Sequence, residues 1–318
     1  MRVYVLGAGA SVHAGYPLTK DLGTGLGEWA DANPPPWNFA YWPDSQGRRD
    51  YGPINDIEDA VGRLERADKP GKMLEGLLVA LCGYFNRIRC DSAPLYRRFS
   101  RDVVRHGDVI ITLNYDVSLE RELRQAGKWE ISNGYGFEMG ISGLRRSPTR
   151  LLKLHGSTNW MRDIGKLPVI PYPQDFEFLG YEGISDPKFD GFVALRYGAM
   201  IPLGPSKQFF VNSSFSPREG EEFWSSLWGQ AADALREAEE VVIIGYSLPK
   251  ADARARLLLL ERANHDAQLT VCSASQSKDL AGEFAAAGFG RVRIRSDVKT
   301  FEELFAIYAN AGSAAGSR

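Results

Sequence analysis

Four short segments hold the residues whose types and spacing could do chemistry. They are Gly7, Ala8 and Gly9 with Ser11, Gly15 and Pro17; Thr112, Asn114 and Asp116; His155 with Gly156; and Gly245, Tyr246 and Ser247. An imidazole that titrates near neutrality suits removal of a proton from a hydroxyl or from water. An amide and a carboxylate as close as Asn114 and Asp116 suit the orientation of a polar ligand. Glycines after a strand let the backbone approach an anion, and the helix that follows offers its free N–H groups. Each segment alone also has a plainer reading. The glycine loop is as good a tight turn as a phosphate cradle, Asp116 could cap a helix opening at Val117, and a lone histidine at a strand end is more often structural than catalytic.

These segments share a position: each follows a short apolar run that reads as a buried strand. Val3–Leu6, Asp108–Leu113, Leu151–Leu154 and Val241–Ile244 are such runs, and Gln268–Cys272 and Arg291–Arg295 follow. Between them the apolar spacing turns helical: Leu18–Trp29, Val117–Gln125 with Gly127 as its stop, Ala251–Asn264, Ser277–Ala287 and Phe301–Asn310. Alternating strands and helices predict an α/β fold, a Rossmann-like, mostly parallel sheet flanked by helices. Loops at the carboxyl ends of such strands are where these sheets bind nucleotides. The chain reads as one domain over 1–318 with two insertions. The first, 28–100, is largely helical; it holds a helix opened by an Asn55/Glu58 capping box and a second over Lys72–Arg89. The second, 159–216, is rich in Pro, Gly and aromatics.

Composition narrows the function. A net charge of −2 offers no basic surface for nucleic acid. No apolar run approaches the ~20 residues that span a bilayer, and Arg2–Ala10 runs straight from strand into loop without the pattern of a signal peptide. Cys82, Cys90 and Cys272 lack CxxC spacing and make no disulfide framework, which predicts a reducing cytoplasm and no zinc. The dehydrogenase fingerprint G-x-G-x-x-G needs glycine where Val12 stands, and no strand end with an acidic residue follows at the required distance.

The four motifs, in this order, resemble the sirtuin (SIR2) superfamily, which uses NAD as a substrate. Gly7, Ala8, Gly9, Ser11, Gly15 and Pro17 match G-A-G-x-S-x-x-x-G-I-P in register; Thr112, Asn114 and Asp116 match T-Q-N-x-D; His155-Gly156 matches the general-base motif; Gly245, Ser247 and Leu248 match G-T/S-S-L. The resemblance implies that Asn114 places the water and ribose, Asp116 holds the nicotinamide carboxamide and His155 removes a proton. It places phosphate and ribose contacts on Gly7–Gly9, Lys20, Gly245, Tyr246 and Ser247, and the adenosine side at Ser273. The sequence departs from the deacetylating pattern at Leu18, Thr19 and Lys20, where the family has D-F-R, and in lacking paired zinc cysteines. IGYSLPxxD (Ile244–Asp252) is similar to a non-deacetylating SIR2-like branch that includes bacterial antiphage-defence NADases. What this implies is an NAD+ glycohydrolase under the control of a partner protein or a homo-oligomer. The alternatives are an NAD-dependent deacylase or ADP-ribosyltransferase, a non-catalytic NAD or ADP-ribose sensor, and a structural subunit of a defence complex.

Overall fold

The structure is a computed structural model that describes residues 1–33, 52, 54–66, 70–88, 93–137, 146–161, 170–171, 217–272 and 277–294. Its centre is a six-stranded parallel sheet of β1 (Arg2–Leu6), β2 (Val109–Thr112), β3 (Arg150–Lys153), β6 (Glu240–Ile244), β7 (Gln268–Cys272) and β8 (Val292–Ile294). The order across the sheet is β3-β2-β1-β6-β7-β8. Val3 to Leu6, Val109 to Thr112 and Val241 to Ile244 are all buried, as expected of parallel strands covered on both faces. The α/β Rossmann-like fold of the sequence reading is the fold observed.

The chain runs outward from β1 to β3 on one side, then returns to β6 on the other side of β1. The connections therefore diverge at the carboxyl ends of β1 and β6. That divergence leaves the crevice in which open α/β sheets bind ligands.

Most helices fall close to the predicted spans; the short one over Pro94–Arg98 was not predicted. They are α1 (Thr19–Ala32), α2 (Ile57–Arg66), α3 (Pro70–Arg87), α4 (Pro94–Arg98), α5 (Ser118–Gln125), α6 (Pro217–Glu237), α7 (Ala253–Glu261) and α8 (Ser277–Ala286). A single π turn, Phe99–Val103, continues α4. Gly127 and Gly288, at φ of +64° and +104°, end α5 and α8 in the left-handed conformation that glycine adopts without strain. The expected Asn55 cap is displaced by one residue: the Asp59 amide donates to Asp56 Oδ1 and the Ala60 amide to the Asp56 carbonyl. Asp56 does the job expected of Asn55, and both stay exposed.

α1 carries Gly23, Gly25 and Gly27, a weak composition for a helix. Tertiary packing explains two of them. A Cβ on Gly23 would stand 1.9 Å from the Ile54 carbonyl oxygen, and one on Gly25 2.5 Å from the Tyr84 hydroxyl. The described part of the first insertion is thus packed tightly on α1. Of the second insertion, residues 159–161 and 170–171 are described; Trp160–Met161 (β4) and Ile170–Pro171 (β5) pair antiparallel. Trp160 is fully buried among Tyr135, Phe137, Phe223 and Trp224. The rest of that insertion, Ser273 and the predicted helix over 301–310 lie outside the described residues. Among the described residues no helix is long and apolar enough to cross a membrane.

Candidate functional site

Register alone lines up the predicted loops. Leu6 pairs with Thr112 and Ile244, Thr112 with Lys153, and Ile244 with Cys272. These residues form one row at the carboxyl edge of the sheet. The next steps along each strand bring Gly7, Asn114, His155 and Gly245 to the same edge.

The loops after β1 and β6 are laced together. The Gly7 amide donates to the Ile244 carbonyl at 3.0 Å and the Gly9 amide to the Gly245 carbonyl at 2.9 Å. A Cβ on Gly7 would lie 2.6 Å from that Gly245 oxygen, and one on Gly245 2.3 Å from the Ala10 nitrogen. The close approach that requires glycine here is between two protein loops, and Gly7 itself is in ordinary extended backbone. The loop then makes two 3-10 turns, Ala8–Ala10 and Val12–Ala14, and α1 starts only at Thr19. This differs from the expectation of a glycine turn feeding directly into a helix. The glycines join strands β1 and β6 at their ends, and nine residues separate Gly9 from the first residue of α1.

Ser11 is the hub that joins this loop to the one after β2. Its Oγ donates to Asp116 Oδ2 at 2.7 Å. A hydroxyl has one hydrogen, so the Tyr96 hydroxyl, 2.8 Å away, must donate to Ser11. Asn114 Nδ2 also donates to Ser11 Oγ, at 2.9 Å, and to the Gly7 carbonyl, at 2.9 Å. Burial, and then the Asp116 charge, push the Tyr96 phenol well above its usual value, which keeps it a donor. Asp116 Oδ1 accepts from the Ser118 amide at 3.1 Å. The carboxylate therefore holds the turn into α5, whose N-cap is Val117, and faces the glycine loop. Thr112 Oγ1 donates to the Leu6 carbonyl and accepts from the Asn114 amide.

His155 is buried, with its ring 6.4 Å from those of Tyr115 and Trp228. Its Nε2 stands 3.3 Å from Asp252 Oδ2. Asp252 is itself 1% exposed; it accepts from the Tyr246 hydroxyl at 3.1 Å and caps α7 by accepting from the Ala255 amide at 3.2 Å. Burial, then the Asp252 carboxylate, hold the Tyr246 phenol far above its usual value, so it remains a donor. In the same loop Leu248 adopts φ of +51°, and the Arg256 guanidinium donates to its carbonyl at 3.0 Å. Backbone held in so sparse a region is a recurrent mark of functional loops.

Beneath these loops lies a buried ion pair. Lys153 Nζ is 2.7 Å from Glu120 Oε1 and donates to the Asp116 carbonyl at 2.5 Å and the Tyr115 carbonyl at 3.4 Å. Tyr135 donates to the same Glu120 oxygen and accepts from Asn159, whose side-chain oxygen takes the Ser157 hydroxyl. The ammonium thus grips the backbone that carries Asp116.

Of the predicted residues, Gly7, Gly9, Ser11, Thr112, Asn114, Asp116, Gly245, Tyr246 and His155 gather at this edge. Ala8 lies in the same loop, half-buried. Gly15 ends the second 3-10 turn at φ of +88°, and Pro17 follows it, half-buried. Lys20 and Ser247 are exposed. Sequence reasoning gave no role to Tyr96, Lys153, Glu120 or Asp252. Asp252 ends the IGYSLPxxD segment, and a lysine closing an apolar strand was a signal for Lys153; Tyr96 had none. Among the described residues no group of three or more His, Cys, Asp or Glu is placed to hold a metal, and Cys82 and Cys272 are buried.

Fold and edge together define a doubly wound α/β protein with a polar site at its topological switch point. No protein-family model and no curated protein matches the chain. Among solved structures it is similar to a Sir2 homologue–NAD complex, 15% identical with a TM-score of 0.47, over 98% of this chain and 90% of that one. It is also similar to a structure described under the mechanism and regulation of Sir2 enzymes, 14% identical with a TM-score of 0.45, over 98% of this chain and 92% of that one.

Proposed function

We propose that the chain is a SIR2-like NAD+ glycohydrolase that cleaves NAD to nicotinamide and ADP-ribose. One observation carries the reading: residues from four loops far apart in sequence meet at the switch point, with Ser11 binding Asn114 and Asp116 to the glycine loop and His155 paired with Asp252 nearby. The bond between nicotinamide nitrogen and the anomeric carbon breaks through an oxocarbenium-like state, as in sugar hydrolysis. Nicotinamide leaves neutral, water adds to the anomeric carbon, and His155 takes the proton that water loses. Asn114 orients water and ribose, and Asp116 accepts from the carboxamide. Gly7–Gly9, Ala8, Lys20, Gly245, Tyr246 and Ser247 make the phosphate and ribose side.

Support for hydrolysis over deacylation comes from the motifs, which lack the zinc cysteines and the D-F-R segment. The setting we propose is cytoplasmic antiphage defence, where NAD depletion is useful only under control by a partner protein or by self-association. The test is nicotinamide release by the purified chain beside Asn114→Ala and His155→Ala, with NAD binding followed by calorimetry. Turnover should fall by about 100-fold or more in both variants while binding persists. A wild-type chain that binds NAD and never cleaves it at any protein concentration, or variants that turn over normally, would sink the reading.

A further inference from the structure

We infer that Asp252 is a positioning residue for His155: its buried carboxylate sets the proton affinity and orientation of the imidazole, making the base a carboxylate–imidazole pair. Three observations carry this. The two side chains approach to 3.3 Å and are 5% and 1% exposed, so little water screens them. Asp252 is fixed from two further sides, by the Tyr246 hydroxyl at Oδ2 and the Ala255 amide at Oδ1, and so does not follow the ring if it turns. It comes from the opposite flank of the sheet: His155 follows β3, at one edge, and Asp252 follows β6, beyond β1. A carboxylate that served only to cap α7 would have no need of the imidazole.

Among the described residues, these groups face the ring. Asp252 with Tyr246 behind it approaches from the loop after β6. Tyr115 comes from the loop after β2, and Trp228 from α6 with the Arg254 guanidinium 4.5 Å over its ring. Burial holds Tyr115 well above its usual value, so it stays neutral. Among the described residues Asp252 is thus an anion at ion-pair distance from His155, with the Arg254 cation over the Trp228 ring. An opposite charge at ion-pair distance favours the protonated imidazole. The ring therefore accepts a proton more readily than the same buried ring would without Asp252, which is what removal of a proton from water requires.

The inference rests on the hydrolase reading only for which proton is moved; the pairing itself is tested without substrate. Asp252→Asn keeps an oxygen for the Ala255 amide, since asparagine is as good a cap as aspartate, and removes the charge. The four histidines are followed by NMR against pH, with His155 assigned from His155→Gln. The expected result is that the His155 midpoint moves to lower pH in Asp252→Asn, while the other histidines and the melting temperature hold. Tyr246→Phe, which strips a donor from the same carboxylate, should move it the opposite way, and serves as the arm if Asp252→Asn fails to fold. In turnover, Asp252→Asn should lower kcat on the order of 10- to 100-fold with KM little changed, and shift the rising limb of the pH profile to lower pH. A His155 midpoint indifferent to both substitutions overturns the pairing. A midpoint that moves as expected, in a protein that binds NAD without releasing nicotinamide, supports the pair and overturns the hydrolase reading instead.

Discussion

Ser11 has one hydrogen to give and three polar groups around it, so its neighbourhood has a fixed direction: Tyr96 and Asn114 donate in, and Asp116 receives. Ser11→Ala removes the centre of that arrangement and strips a donor from a buried carboxylate. It should lower the unfolding free energy by about 1–3 kcal/mol, read from the denaturant midpoint, and should slow nicotinamide release by displacing Asn114. Ser11→Ala at wild-type stability would mean that the hub is filled by water at no cost. His13, edge-on to Tyr96 in the same loop, has its titration lowered by burial, with Asp116 pulling the other way. The unfolded chain then binds a proton that the folded chain refuses, between the ordinary value of 6.5 and the lower folded one. Stability from this group is complete above that ordinary value and falls as the solution is acidified through the window. In His13→Gln the melting temperature should therefore depend less on pH just below neutrality. Asn114 and Asp116 could be found from spacing after an apolar run. Tyr96 could not, because its partner lies 85 residues away and only the fold brings them together.

The elements hold the site by different means. Between β3 and α5 the means is charge, with Lys153 and Glu120 both essentially without solvent contact. Removing one member of such a pair leaves an uncompensated buried charge and costs about 3–5 kcal/mol. Lys153→Met should cost that much, and Lys153→Met with Glu120→Gln should recover a good part of it; a chemical denaturation cycle over Lys153→Met, Glu120→Gln and the double variant reads the coupling. Were the double variant no better than the single, the lysine would be acting through its backbone contacts to Asp116 alone. Between α1 and the first insertion the means is proximity. Gly23→Ala would drive a methyl group onto the Ile54 carbonyl, and about 1–3 kcal/mol of stability should be lost, visible as a lower melting temperature. Strands and helices were legible because their apolar periods are clean, as in Val241–Ile244 and α5. The cap at Asp56 was missed by one residue because two adjacent polar side chains offer the same chemistry. The glycines of α1 could not be explained before the insertion was seen packed against them.

At the scale of the molecule, β1 and β6 are the innermost strands, each flanked by strands on both sides, and β8 is an edge. Amide exchange should be slowest at Tyr4, Val5, Val242 and Ile243 and measurably faster at Val292 and Arg293, a gradient that follows the depth of each bond in the sheet. Uniform exchange across the sheet would contradict a cooperative core centred on β1. The alternation of strands and helices predicted this architecture. The order of the strands was not written in it, since the jump from β3 across β1 to β6 depends on which faces the helices must cover.

The same strand order has a consequence for synthesis. β1 is made first and sits in the middle, and until residues 240–244 leave the ribosome it has β2 on one side and nothing on the other. Gly9 then lacks the Gly245 carbonyl, and His155 lacks Asp252. A nascent chain can thus contain every predicted catalytic side chain and still have no assembled centre. For a centre that destroys NAD as proposed, the site stays incomplete until residues 240–252 have folded back, and a product terminated before them is harmless to the cell that made it.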